Sequence, residues 1–207
     1  MSGIKLHYVL DPMCSWCWAF RPSWQALLGE LPEQTRVEYI MGGLAPDSDE
    51  PMPRQMQVYL QSVWQSIAAK SGAQFNLDFW RNNKPRRSTY PACRAVIAAG
   101  FQSHTMIPKM IYGIQKAYYI DARNPSDKDT LVQMAGEIDL DKDKFSNDFN
   151  SAQVENEFQN QLQTTQRFGV QGFPCVIVQR DRNVRHLVQG YCDKETLLQR
   201  WQIMMQG

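Results

Sequence analysis

The stretch DPMCSWCWAF, residues 11–20, follows directly on the apolar run IKLHYVL, residues 4–10, and sets Cys14 and Cys17 one helical turn apart. The β-prone run ends at Asp11-Pro12, which reads as a buried strand arriving at a turn. A helix then has to begin at or next to Cys14. Phe20, Trp24, Leu27, Leu28 and Leu31 recur at spacings of three and four and give that helix one apolar face, with Pro32 just beyond its end. Pro22 lies inside it and has no N–H for the carbonyl of Trp18, which predicts a kink.

The remaining elements follow in order. RVEYIMGG, residues 36–43, reads as a second strand stopped by glycines. From about residue 53 the pattern becomes helical, beginning with Met56, Tyr59, Leu60, Val63, Trp64 and Ile67 on one face. Ser126 with Asp129 resembles a capping box opening a helix over 127–137, and Val154, Phe158, Leu162 and Thr165 carry a last long helix to Gly169. Strand patterns return at 173–180 and 184–190 around the turn-like DRN, and Asp193 is placed to cap a terminal helix. A βαβ half followed by a ββα half is the plan of the thioredoxin-like α/β fold, here with an all-helical insertion. Periodicity gives only the order of elements; the assignment leans on Cys-x-x-Cys directly after the first strand. Residues 1–50 and 167–207 form the expected thioredoxin-like domain, and residues 51–166 the inserted helical domain.

Composition gives the thiols no structural task. The chain has 207 residues, 43% of them hydrophobic and 21% charged, enough to bury a core without disulfide or metal staples. Twenty-two basic residues against 21 acidic leave a net charge of +1, which gives no footprint for nucleic acid or an anionic membrane. KPRR, residues 84–87, reads as a solvated basic loop. The start MSGIKLHYVLDP lacks the pattern of a secretory leader, and no run approaches membrane-spanning length, so a cytoplasmic protein is expected. There most thiols are kept reduced, and five cysteines without framework spacing do not make a disulfide scaffold.

At a helix start, free N–H groups and the positive end of the dipole favour a thiolate on Cys14, the form that attacks disulfides. Cys17, one turn on, is placed to attack the resulting mixed disulfide and release the reduced product. Ser15 and Trp16 lie between them, where hydrogen bonds to the Cys14 sulfur tune the potential; without histidine there, a couple less oxidising than a Cys-Pro-His-Cys site is expected. GVQGFPCVIV, residues 169–178, is the second informative stretch. In such a fold Phe173-Pro174 is expected as a cis peptide facing the thiols, with the Phe173 backbone free to pair with an extended substrate. Cys93 and Trp24 read as core, Cys192 as an exposed bystander, His7 as a hydrogen-bonded interior residue, and Tyr118 and Tyr119 as core or as the wall of a groove over the thiols.

DPMCSWCW, a helical stretch containing KAYYIDARNPSDKDTLVQMAGEIDLDKDKF, and FGVQGFPCVIV together resemble the DsbA-like branch of the thioredoxin superfamily, across essentially the whole chain. The likeness is greatest to bacterial cytosolic members described as predicted protein-disulfide isomerases, related to the FrnE type. It implies thiol–disulfide exchange at Cys14 and Cys17, Pro174 as the cis-proline, and substrate contacts at Ser15, Trp16, Phe173 and Pro174. The implied partners are a disulfide-bearing protein or small disulfide, with glutathione or thioredoxin as electron donor and no organic cofactor or metal. Two departures stand out: Ser-Trp replaces the Pro-Trp or Pro-His often found between the cysteines, and Cys175 after the proline is a candidate accessory thiol. Two further readings stay open. One is a glutathione-dependent isomerase or transferase resembling the 2-hydroxychromene-2-carboxylate isomerase and kappa-class types, in which a serine commonly stands where Cys14 stands here. The second is a soft-metal module built on Cys14, Cys17 and Cys175.

Overall fold

The structure is a computed structural model that describes residues 4–206. Met1–Gly3, part of the stretch that lacks a leader pattern, lie outside the described residues. The sheet has four strands, β1 (Ile4–Leu10), β2 (Arg36–Met41), β3 (Cys175–Arg180) and β4 (Asn183–Gln189), in the order β2-β1-β3-β4. β1 pairs parallel with β2, so the chain must cross over, and α1 (Ser15–Gly29) makes that crossing. β3 runs antiparallel to both β1 and β4, and its register sets Val9 opposite Cys175. The expected mixed α/β fold with a helical insertion is thus present.

Seven helices separate β2 from β3: α2 (Arg54–Ser71), α3 (Phe79–Asn82), α4 (Tyr90–Gln102), α5 (Met106–Tyr119), α6 (Lys128–Glu137), α7 (Lys142–Phe149) and α8 (Ala152–Arg167). α9 (Lys194–Gln206) closes the chain and packs beside α1. Asp193 caps it as expected, its Oδ1 accepting the Thr196 N–H at 2.8 Å. Ser126 does not cap α6. The cap position belongs to Asp127, and the Ser126 hydroxyl instead donates to the Ser88 carbonyl at 2.7 Å, tying two loops together.

Strand alternation divides the apolar side chains between the two faces. Leu6, Tyr8, Leu10, Val176 and Val178 join Phe20, Trp24 and Leu27 of α1 in the main core. Val9, Ile40, Cys175 and Ile177 make a smaller cluster under Phe168, Val170 and Phe173. His7 is buried and its Nε2 meets Gln179 Oε1 at 2.8 Å, the interior role read from the strand pattern. Cys192 departs from expectation: it is buried in the main core, because its loop packs on α1, where the Ser23 hydroxyl donates to the Cys192 carbonyl at 3.2 Å.

An aromatic cluster knits the inserted helices. The Trp64 ring lies 4.9–5.9 Å from those of Phe75, Phe79, Trp80, Tyr118 and Tyr119. Tyr119 also reaches the turn before Cys14, donating its hydroxyl to the Met13 carbonyl at 2.6 Å. Tyr119→Phe leaves that buried carbonyl without this donor, at an expected loss of about 1–2 kcal/mol in urea unfolding. An unchanged midpoint would show that the bond carries no stability.

Candidate active site

Cys14 occupies the N-cap position of α1 with extended backbone angles (φ −79°, ψ 118°), and its carbonyl accepts the Trp18 N–H at 3.1 Å. The helix therefore starts on the first thiol. Cys14 is 7% exposed and Cys17 0%, and both thiols are free. Only the first reaches the surface. Burial, and next the neighbouring Cys14 sulfur, push the Cys17 thiol well above the ordinary thiol range, although a backbone hydrogen bond from Asp11 opposes the rise. Cys17 is thus held as a neutral thiol at neutral pH.

The segment before β3 closes the other side. The Cys14 thiol points at the Phe173 carbonyl, 3.9 Å away, and the Phe173–Pro174 peptide bond is cis. The Phe173 ring lies against Gly42: a Cβ at that glycine would stand 2.1–2.2 Å from the ring's edge atoms. Ser15 and Trp16 are half-buried at the rim, with the Trp16 ring 5.2 Å from that of Tyr191. A cleft of about 500 Å³ opens here, lined by Cys14, Ser15, Trp16 and Phe173 on one side and by Leu60 and Tyr118 of the inserted helices on the other. Tyr118 serves both core and cleft wall.

Cys175 is not brought to this cluster. Its side chain lies on the opposite face of the sheet, 3.7 Å from Nδ1 of His186, and burial raises its thiol to about 12. A three-thiol metal site on Cys14, Cys17 and Cys175 is therefore not assembled, and among the described residues no three His, Cys, Asp or Glu side chains converge on a metal position.

Sequence reading missed the residue that organises the site. Asp11 is fully buried, and its carboxylate accepts the Met13 N–H (2.7 Å), the Leu44 N–H (2.7 Å), the Thr89 hydroxyl (2.6 Å) and the Cys93 thiol (3.6 Å). Burial raises its carboxyl pKa while these donors pull it back. An Asp before a Pro carries only a turn signal, and nothing in the linear pattern marks it as interior.

Fold and site together define a thioredoxin-like protein with a Cys-x-x-Cys pair at the start of its first helix. The model of the family described as Thioredoxin matches residues 7–198, and the chain belongs to that family. Its solved neighbours are DsbA-like. A proposed protein disulfide isomerase from Nitrosomonas europaea has a TM-score of 0.89 at 24% identity, covering 99% of this chain and 98% of its own. The cytosolic disulfide reductase DsbM from Pseudomonas aeruginosa has a TM-score of 0.78 at 22% identity, covering 98% of each chain, and has also been solved with glutathione. Such identities establish the shared fold. Among curated proteins, the ClpXP adapter protein SpxH of Halalkalibacterium halodurans is 24% identical over 182 residues, which cover 86% of this chain and 59% of that protein. SpxH of Bacillus subtilis is 23% identical over 150 residues, 72% of this chain and 49% of that protein. The chain thus spans about half to three-fifths of the length of these curated relatives. No helix among the described residues is long and apolar enough to cross a membrane.

Two outcomes are expected. With limiting iodoacetamide at neutral pH, peptide mapping should find Cys14 modified first, and Cys17 only after unfolding or well above the ordinary thiol pKa; early labelling of Cys17 would contradict its burial. Gly42→Ala should displace the Phe173 ring and slow thiol exchange by about tenfold with the circular dichroism spectrum retained. An unchanged rate would mean that the ring's seat is irrelevant to exchange.

Proposed function

We propose that the protein is a thiol–disulfide oxidoreductase, a reductase or disulfide isomerase, working through Cys14 and Cys17. The observation that carries this reading is the asymmetry of the pair: Cys14 caps α1 at the floor of a cleft, and Cys17 is sealed one turn behind it. The Cys14 thiolate attacks one sulfur of a substrate disulfide, the S–S bond breaks, and the other sulfur leaves as a thiolate that takes up a proton. Cys17, losing its proton, attacks the Cys14 sulfur of the mixed disulfide. The second substrate sulfur leaves as a thiol, and a Cys14–Cys17 disulfide remains. The substrate gains two electrons and the protein loses them; a small thiol such as glutathione, or thioredoxin, returns them. Ser15, Trp16, Phe173 and Pro174 form the contact surface, with the Phe173 backbone beside the reacting sulfur. The electrons travel on sulfur alone, so the reaction calls for no organic cofactor. DsbM, named a cytosolic disulfide reductase, supports a cytoplasmic setting and the reducing direction.

The test is a pair of single variants. Cys17→Ser should accumulate a mixed disulfide on Cys14 with the substrate, seen by mass spectrometry under non-reducing conditions, and Cys14→Ser should lose exchange by at least about a hundredfold. Retained exchange in Cys14→Ser would defeat the proposal. The wild-type couple should also have a potential well below about −120 mV, the strongly oxidising end of such pairs; a value there would contradict the role given to Ser15 and Trp16.

The curated relatives favour a second reading, an adapter that presents another protein to a protease. That activity needs a binding surface rather than sulfur chemistry. Binding of a partner that survives in a protein carrying both Cys14→Ser and Cys17→Ser would select it.

A further inference from the structure

Arg86 and Arg87, part of the KPRR loop that reads from sequence as merely solvated, line the cleft beside Cys14 and are the charged residues among the described residues of its wall. Their situations differ. Arg86 is committed: its Nη2 donates to the Ser126 carbonyl at 2.7 Å and to Asp127 Oδ1 at 2.6 Å. Arg87 is exposed, and among the described residues no carboxylate pairs with it. Its positive charge acts on the buried Tyr118 phenol of the cleft wall, opposing the upward push of burial there.

The loop that carries Arg87 is pinned on both sides. Before it, the Pro85 carbonyl accepts the Met52 N–H at 2.8 Å. After it, the Ser88 carbonyl accepts the Ser126 hydroxyl at 2.7 Å, and Thr89 donates to Asp11 at 2.6 Å. Asp11 also holds the Met13 N–H, so one carboxylate registers the guanidinium loop against the thiol turn. A cation carried on a pinned backbone, with no ion-pair partner among the described residues and no acid in the cleft wall, is electrostatically complementary to an anion entering the cleft.

We propose that Arg87 is a specificity-determining residue that anchors a carboxylate of a glutathionyl disulfide while Cys14 attacks its sulfur. The proposal rests on the oxidoreductase reading above and names its substrate class. A volume of about 500 Å³ lies in the range of small-molecule sites. A glutathionyl group has carboxylates at both ends and its sulfur between them, so a cation in the wall can hold one end while the sulfur faces Cys14. The chemistry is the exchange already written: the glutathionyl S–S bond breaks, a Cys14–glutathione disulfide or the alternative mixed disulfide forms, and Cys17 closes the protein disulfide. The same group occurs in free glutathione disulfide and on glutathionylated proteins.

The experiment measures second-order rate constants for oxidation of the reduced full chain, by acid quench and alkylation, in wild type, Arg87→Gln, Arg87→Glu and Arg87→Lys. The oxidants are glutathione disulfide, a glutathionylated carrier protein and neutral hydroxyethyl disulfide. The ratio of glutathionyl to neutral rate constants should fall about fivefold in Arg87→Gln and about tenfold in Arg87→Glu, with Arg87→Lys restoring most of it. Salt at about 0.5 M should narrow the gap between wild type and Arg87→Glu. A fall with free glutathione disulfide supports the small-molecule source, and one confined to the glutathionylated protein supports the protein-borne source. Ratios that stay level with both glutathionyl oxidants overturn the role of Arg87. Failure of wild type to react even with the neutral disulfide overturns the oxidoreductase reading instead.

Discussion

The buried carboxylate of Asp11 holds the structure's parts in register. It sits where β1 ends, and its donors come from three directions: Met13 in the thiol turn, Leu44 after β2, and Thr89 and Cys93 at the start of α4. A carboxylate is the one side chain of this size that offers only acceptors to such a convergence; an amide would turn two N–H groups toward N–H and O–H donors. Removing it would strand several buried donors at once, each costing about 1–3 kcal/mol. The thiol turn, the β2 exit and the inserted helices therefore share one anchor, although they lie far apart in sequence.

That anchor brings the thiol turn, the exit of β2 and the inserted helices together at one cleft. The α1 crossover places Cys14 at the helix start, and the main core seals Cys17 beneath it. Tyr119, from the inserted helices, holds the Met13 carbonyl, while the Phe173 segment of the sheet side meets the Cys14 sulfur. The insertion is thus packed into the site rather than appended to it. It supplies one wall of the cleft and, through the loop of Arg86 and Arg87, its charge.

Much of this was legible in the chain. The order of strands and helices, the start of α1 on Cys14, the interior positions of Trp24 and His7, and the capping by Asp193 all follow from local periodicity and end signals. What escaped was tertiary. Asp11 and Ser126 look like turn and cap residues, but their hydrogen bonds reach across loops to Thr89 and Ser88. Cys192 lies in a polar stretch that is buried because its loop packs on α1. Cys175 stands one residue from Pro174, yet strand alternation turns it to the far face, a consequence of the period of two that was available in the sequence. KPRR looks like any solvated basic run until the loops of residues 51–52 and 126 fix it at the cleft.

The proposed function requires Cys14 and Cys17 to form a reversible redox pair. A titration of the reduced protein in glutathione buffers of stepped potential, quenched by alkylation and mapped by mass spectrometry, tests it most directly. A single two-electron transition is expected, in which Cys14 and Cys17 are protected together as a disulfide while Cys93, Cys175 and Cys192 keep their thiols. A protein that never forms the Cys14–Cys17 bond at any potential, or that forms another pairing in its place, would contradict it.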